Sequence, residues 1–217
     1  MNEKVEFAVE RIAAISEYKN MFAKSFSNKK VNSENLFKAI ATFERTIVSM
    51  PSKFDRFISG ESNLFTDEEV QGLHLFRTKA GCINCHNSAL FSDNKFHNDG
   101  LAFFGMEGED LGKYKHTGKP EDAGLFRTPS LREVAKTGPW MHNGIFEDLT
   151  DLVEYYNDGN PNFMKRSLTD HSRDHLIPEK TLMLRPLGLT KSEVKSLVAF
   201  LGTLSSDFET ELDVKLP

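Results

Sequence analysis

Apolar residues recur at helical spacing in five stretches of the chain, and the polar residues between them mark where each helix begins and ends. Val5, Val9, Ile12 and Ile15 make one stripe; Leu36, Ile40, Phe43 and Ile47 make a second, behind the capping candidates Asn32 and Ser33. The first 63 residues therefore read as two amphipathic helices, each with one face to bury as a packing surface. Met50-Pro51-Ser52 ends the second helix, and Ser59-Gly60-Glu61-Ser62 connects it to a third. The capping box Thr66-Asp67-Glu68-Glu69 opens that third helix, through Val70, Leu73 and Phe76, which Gly81 ends with a left-handed cap. Asp148 caps a short helix carrying Leu149, Leu152, Val153 and Tyr156, stopped by Asn157-Asp158-Gly159. A second capping box, Thr190-Lys191-Ser192-Glu193, starts the last helix, with Val194, Leu197, Val198 and Leu201 along its apolar stripe.

From Asn87 to about Pro139 the periodicity fades, and Gly, Asp, Asn and Lys dominate; this predicts long, ordered loops. The pattern as a whole predicts an all-α protein without internal repeats or low-complexity tracts. A hydrophobic fraction of 39% and a charged fraction of 27% are those of an ordinary globular chain. The 18 phenylalanines, against 4 tyrosines and 1 tryptophan, point to an aromatic interior on which Leu90, Phe91, Phe96, Phe103, Phe104 and Phe126 of the loops can pack. A net charge of −5 without a basic run argues against a nucleic-acid partner, and no apolar window is long enough for a transmembrane helix.

The candidate chemistry lies in Cys82-Ile83-Asn84-Cys85-His86, directly after the predicted helix end. Two thiols three residues apart with an imidazole next to them are what covalent attachment of a c-type haem requires. The thiols would add to the vinyl groups, and His86 would bind the iron. A zinc site would need a further ligand pair, and Cys82 and Cys85 are the only cysteines in the chain. A thioredoxin-like motif would need a βαβ setting, which the flanks do not provide. Met141, His142, Tyr156, Met164 and Met183 are candidates for the sixth position on the iron: a thioether would raise the potential, a phenolate would favour ferric iron. Arg127 and Arg132 flank Thr128-Pro129-Ser130 and could pair with haem propionates. Trp140-Met141-His142-Asn143-Gly144 places an aromatic, a thioether and an imidazole in one segment.

Further stretches carry a family resemblance. Phe43-Glu44-Arg45-Thr46 with Phe54-Asp55-Arg56-Phe57, Phe91-Ser92-Asp93 with Phe96-His97-Asn98-Asp99-Gly100, the segment from Asp122 to Arg132, and Thr137-Gly138-Pro139-Trp140-Met141-His142-Asn143-Gly144 occur in the order found in the bacterial dihaem cytochrome c peroxidases. That family includes MauG, which matures methylamine dehydrogenase. The resemblance implies a cytochrome c-like helical domain with haem-wrapping loops over 64–217, preceded by two helices from the family's N-terminal domain and linker over 1–63. The N-terminal domain carries a peroxidatic haem in that family, and its motif has no counterpart in this sequence. The chain thus resembles the electron-transfer half, with one covalent haem c; the missing N-terminal haem domain is an expected partner.

The resemblance also implies site residues. Counting from Pro139 and His142, the family's sixth ligand falls on Tyr156, where typical peroxidases have methionine and MauG has tyrosine; Tyr155 and Met141 are the alternatives. Backbone carbonyls of Thr137 and Pro139 correspond to ligands of a calcium ion that the family holds between its domains. Glu133 stands where the family usually has asparagine. The implied activity is the reduction of hydrogen peroxide with electrons from a small cytochrome c or cupredoxin. A MauG-like oxidase acting on a protein or organic substrate, and a non-enzymatic monohaem electron carrier, are the alternatives; homodimer formation is left open. The implied location is the periplasm. Met1-Asn2-Glu3-Lys4-Val5-Glu6 does not read as a secretory signal, so the expectation is a processed chain or a fragment of a longer exported precursor.

Overall fold

A computed structural model describes residues 4–167 and 169–206. It separates into two units, one up to Met50 and one from Pro51 onward. The family resemblance implies a division after residue 63. The difference lies in the segment α4 (Lys53–Ile58), which is built into the second unit. Ser52 and Asp55 close a reciprocal capping box at its start, and the Phe54 amide donates to the Thr203 carbonyl at 3.0 Å. Phe54 meets Phe91 and Phe200 edge-on, and Phe57 stacks on Phe65 with ring centroids 4.1 Å apart. These aromatic contacts commit the segment to the second unit's core.

The first unit contains α1 (Val5–Ala14), α2 (Ser16–Ser25) and α3 (Ser33–Glu44). The expected single helix through Ile15 is broken there, because Ile15 takes an extended conformation that caps both neighbours. Asn32 caps α3 as expected, its side chain accepting from the Asn35 amide at 2.8 Å. The helix ends at Glu44, so Ile47 lies beyond it. The stripes are not buried within the unit: no residue of α1 is buried, and Phe37, Ile40, Phe43 and Ile47 are each about half exposed.

The second unit is organised around α5 (Asp67–Arg77), α7 (Leu149–Asn157) and α8 (Lys191–Gly202). All three begin as the sequence predicts: Thr66 and Thr190 form capping boxes with Glu69 and Glu193, and Asp148 accepts from the Thr150 and Asp151 amides. Helices α5 and α8 cross at Gly72, where a Cβ would lie 1.9 Å from the Ser196 carbonyl oxygen. That approach buries Leu75, Phe76, Val194, Leu197 and Phe200 almost completely. Each such side chain contributes about 1.5–3 kcal/mol relative to exposure. Leu152 and Val153 of α7 complete the same core.

The segment read as loops contains a small piece of sheet that periodicity could not reveal. Strands β1 (Phe96–His97) and β2 (Phe126–Arg127) pair antiparallel, with Phe96 opposite Arg127. A single helical turn, α6 (Tyr114–Thr117), lies between them in sequence. A second apolar cluster around Phe104, Leu111 and Leu176 supports these loops. None of the described helices is long and apolar enough to cross a membrane.

Candidate haem site

The site starts where α5 ends. The helix stops at Arg77 with Thr78 as its cap, four residues before the expected left-handed end at Gly81; Gly81 is left-handed (φ 63°), but it opens one 3₁₀ turn, Cys82–Asn84. The His86 amide donates to the Cys82 carbonyl at 2.8 Å, so one turn of backbone holds both thiols and the imidazole. Both cysteines are free thiols. Burial pushes the Cys82 thiol up to about 12, and burial with the nearby Asp93 carboxylate also raises Cys85. A reactive redox pair needs the opposite, a lowered thiol.

His86 is oriented by the loop after it. Its Nδ1 lies 2.9 Å from the Phe91 carbonyl oxygen. A carbonyl only accepts, so Nδ1 carries the proton and Nε2 presents its lone pair. Burial lowers the His86 pKa, opposed by the Phe91 hydrogen bond; the neutral ring it favours is the ligating form. Phe91 itself takes a left-handed conformation (φ 53°), which turns the loop back. The loop is pinned by the Asp93 amide on the Cys85 carbonyl (2.7 Å), Ser92 Oγ on the Thr128 carbonyl (2.7 Å) and Ser130 Oγ on the Leu90 carbonyl (2.7 Å). Asp93 accepts from His97 at 2.8 Å; burial raises this carboxyl, but hydrogen bonds from His97, the Lys95 amide and Thr128 outweigh it and bring it to about 2.

The two adjacent tyrosines of α7 face different surroundings. The Tyr155 ring is buried, and its hydroxyl lies 2.8 Å from the Asp99 carbonyl and 3.0 Å from the Pro161 carbonyl. Tyr156 packs against the core cluster that also receives Cys82 and Ile83. Its hydroxyl has no hydrogen-bond partner among the described residues. Burial raises its pKa well above the ordinary phenol range, and the Asp99, Cys82, Tyr155 and Cys85 groups add to the rise. Such a phenol ionises only beside a cation. Met141 also packs against this core, whereas Met183 is half exposed and Met164 supports the second cluster.

The two expected propionate partners separate. Arg132 bonds to Asp55 (2.7 Å), donates to the Ala89 carbonyl (3.0 Å) and covers the Phe91 ring. Its guanidinium therefore ties α4 to the His86 loop, a use invisible without knowing that residues 55 and 132 meet. Arg127, on β2, is exposed and bonds to Asn94. His142 stacks on Phe126, with ring centroids 3.6 Å apart. Glu133 sits in a left-handed conformation (φ 60°), suited to the family's asparagine, and accepts from the Ser206 amide at 3.0 Å. Thr137 and Pro139 are exposed. Two backbone carbonyls are a minority of the six to eight oxygens calcium takes, so these residues alone do not fit a calcium ion. The haem fits better: one turn of backbone carries two free thiols and an imidazole oriented by the Phe91 carbonyl, and Cys82 and Tyr156 pack against the same core.

Comparison with known proteins agrees with the motifs. A sequence model described as "Di-haem cytochrome c peroxidase" matches residues 1–63. The cytochrome-c peroxidase IdrP1 of Denitromonas iodatirespirans is 36% identical over 94% of this chain and 57% of its own length. The methylamine utilization protein MauG of Methylorubrum extorquens is 33% identical over 95% of this chain and 54% of its own. The crystal structure of a MauG-like protein associated with microbial copper homeostasis superposes with a TM-score of 0.72 at 29% identity, covering 92% of this chain and 61% of that one. The chain thus spans a little over half the length of the curated relatives it matches. With its all-α, cytochrome c-like fold and its single CxxCH turn, the chain belongs to the di-haem cytochrome c peroxidase and MauG family.

Proposed function

We propose that this chain is the electron-transfer half of a periplasmic dihaem peroxidase, binding one haem c through Cys82, Cys85 and His86 and passing electrons inward from a small cytochrome c or cupredoxin. The observation that carries the proposal is the Cys82–His86 turn, in which one stretch of backbone presents both tethering thiols and a pre-oriented imidazole. When bound, the haem supplies reversible one-electron chemistry at iron. Burial raises both thiols and so disfavours their thiolate forms. The Phe91 carbonyl fixes the imidazole tautomer. Tyr156 is the proposed sixth ligand, Arg127 the arginine proposed to pair with a propionate, and His142, stacked on Phe126, a further proposed contributor to the haem pocket. The half-exposed apolar stripe of α3 supports an N-terminal haem domain as partner. In the full assembly two electrons and two protons would convert hydrogen peroxide to two waters.

Tyr156 favours a second reading, a MauG-like oxidase acting on a protein or organic substrate, because a phenolate ligand stabilises oxidised iron. Production of the chain with haem c maturation, followed by haem quantitation and peroxide turnover, tests both. One covalent haem per chain and no appreciable turnover are expected, with turnover gained when an upstream haem domain is present. Appreciable peroxide reduction by the one-haem chain would sink the half-enzyme assignment. Oxidation of an organic or protein substrate by the two-haem form, without competent use of a donor cytochrome or cupredoxin, would favour the MauG-like reading.

A further inference from the structure

Helix α7 offers two tyrosines in succession, and successive helical residues point about 100° apart. Only one can face the haem at a time, so something must fix the rotation of the helix. The Tyr155 ring is wedged between Phe146 and Phe163, with centroids 5.2 Å and 6.3 Å away. Its hydroxyl sits between the Asp99 and Pro161 carbonyls at 2.8 Å and 3.0 Å. The turn it reaches is shaped for it: Gly100 has φ +90°, and a Cβ there would lie 3.0 Å from both the Tyr155 hydroxyl and the Pro161 oxygen. Asn160 Nδ2 donates to the same Asp99 carbonyl at 3.2 Å. Lys180 ties the end of α7 through the Gly159 carbonyl at 2.6 Å, and Thr181 holds Asn98 from both its hydroxyl and its amide.

We propose that Tyr155 is a positioning residue: its hydroxyl clamps α7 to the Asn98–Gly100 turn and so holds Tyr156, rather than itself, toward the haem. The proposal rests on Tyr156 being the sixth ligand. Rotating the helix to exchange the two tyrosines would pull the Tyr155 hydroxyl from both carbonyls, leaving the Pro161 oxygen without this donor. It would also withdraw the ring from its two aromatic neighbours. The clamp therefore decides ligand identity without touching iron.

The test uses the haem-loaded chain with Tyr155→Phe, Tyr156→Phe and Thr190→Ala, read by the ferric visible spectrum and by the rate of cyanide binding to ferric haem. Tyr155→Phe is expected to weaken the phenolate-to-iron band and to speed cyanide binding about tenfold, the population change that one net hydrogen bond corresponds to. Thr190→Ala removes a cap on another helix and is expected to leave both readouts unchanged. If Tyr156→Phe alters the spectrum while Tyr155→Phe matches the wild type, the clamp is refuted and the ligand assignment stands. An unaltered spectrum in Tyr156→Phe removes the ligand assignment, and the clamp with it. Equal acceleration in Thr190→Ala would reduce the effect to general loosening and also overturn the clamp. Should Tyr155→Phe fail to fold, Asn160→Gly retains the left-handed backbone (φ 53°) and removes the Nδ2 donor to Asp99. Faster cyanide binding is expected there too, and an unchanged rate counts against the proposal.

Discussion

Replacing Gly72 by alanine should do more damage than any other single-methyl addition to the helices of the second unit. The added Cβ would lie 1.9 Å from the Ser196 carbonyl oxygen and 2.7 Å from Phe200 Cβ. Ordinary contact begins near 3.4 Å, so about 1.5 Å must be recovered by moving α8 away from α5. The atom struck is backbone, which no rotamer change can clear. A radial gap of about 0.5–1 Å already forfeits a quarter to a half of each contact's attraction. The contacts at stake are those among Leu75, Phe76, Val194, Leu197 and Phe200, whose Phe76 and Phe200 rings lie 5.1 Å apart. Overpacking costs about 1–3 kcal/mol where the structure can yield, and rather more is expected here, about 3–4 kcal/mol. For a chain of this size that corresponds to a fall in Tm of roughly 10 °C. Gly202, near the end of α8, is the internal control: a Cβ there meets nothing within 4 Å. Gly202→Ala should be neutral or stabilise by up to about 1 kcal/mol through helix propensity. Urea and thermal unfolding of both haem-loaded variants, followed by far-ultraviolet circular dichroism, give the comparison. A Gly72→Ala protein within about 1 kcal/mol of wild type would refute the crossing geometry, and so would equal losses in the two variants.

The remaining outcomes concern the loop and the caps. Arg132→Ala should cost about 2 kcal/mol in denaturant unfolding, because it strips Asp55 of a charged partner and uncovers Phe91; Arg127→Ala, at an exposed site, should cost about 0.5 kcal/mol or less. Burial raises the Asp55 carboxyl, but the Ser52 amide and hydroxyl and Arg132 outweigh this and hold it below its ordinary value. A depressed folded-state pKa means stability that is present above the unfolded pKa and lost as pH falls through the folded one. Acid titration of stability should therefore be shallower in Asp55→Asn than in wild type below about pH 4, and parallel curves would exclude the pair as a contributor. Thr190→Ala should lower stability by about 1 kcal/mol, measured in the same way, through loss of the α8 capping box. Tyr156→Phe should change the ferric visible spectrum and raise the reduction potential in a spectroelectrochemical titration; an identical spectrum would direct attention to Met141.

What could be read along the chain was what is written locally. Thr66, Asp148 and Thr190 announce helices because each cap bonds within three residues of itself, whereas Gly81 signals the left-handed turn before Cys82 and not the end of α5, which stops four residues earlier at Arg77. The haem motif is equally local, confined to one turn. Features made by distant residues were not legible. The pairing of Phe96 with Arg127, the capture of Arg132 by Asp55 and the reach of Tyr155 to Asp99 join segments with no common period. The break at Ile15 was hidden for another reason: the apolar spacing continues across it, so the pattern describes one helix where the backbone makes two. Arg132 shows the practical consequence. Its position beside Arg127 suggested a shared task, whereas the fold assigns it to an internal carboxylate.

The acceptor that orients His86 is a main-chain oxygen, belonging to Phe91, and not a side chain. No codon change at position 91 deletes that oxygen, but proline or a β-branched residue could not keep the left-handed backbone of Phe91 and would move it, so the hold on the His86 ring depends on the backbone conformation at 91 and not on side-chain chemistry. On the proposed ligation, substitution of Tyr156 would be one direct route to tuning the potential, alongside burial and the hydrogen bonds around the haem. At position 156 a single base change can interchange tyrosine with phenylalanine, histidine or cysteine, so if Tyr156 is the ligand as proposed, that position is where variants would diverge most readily in redox behaviour.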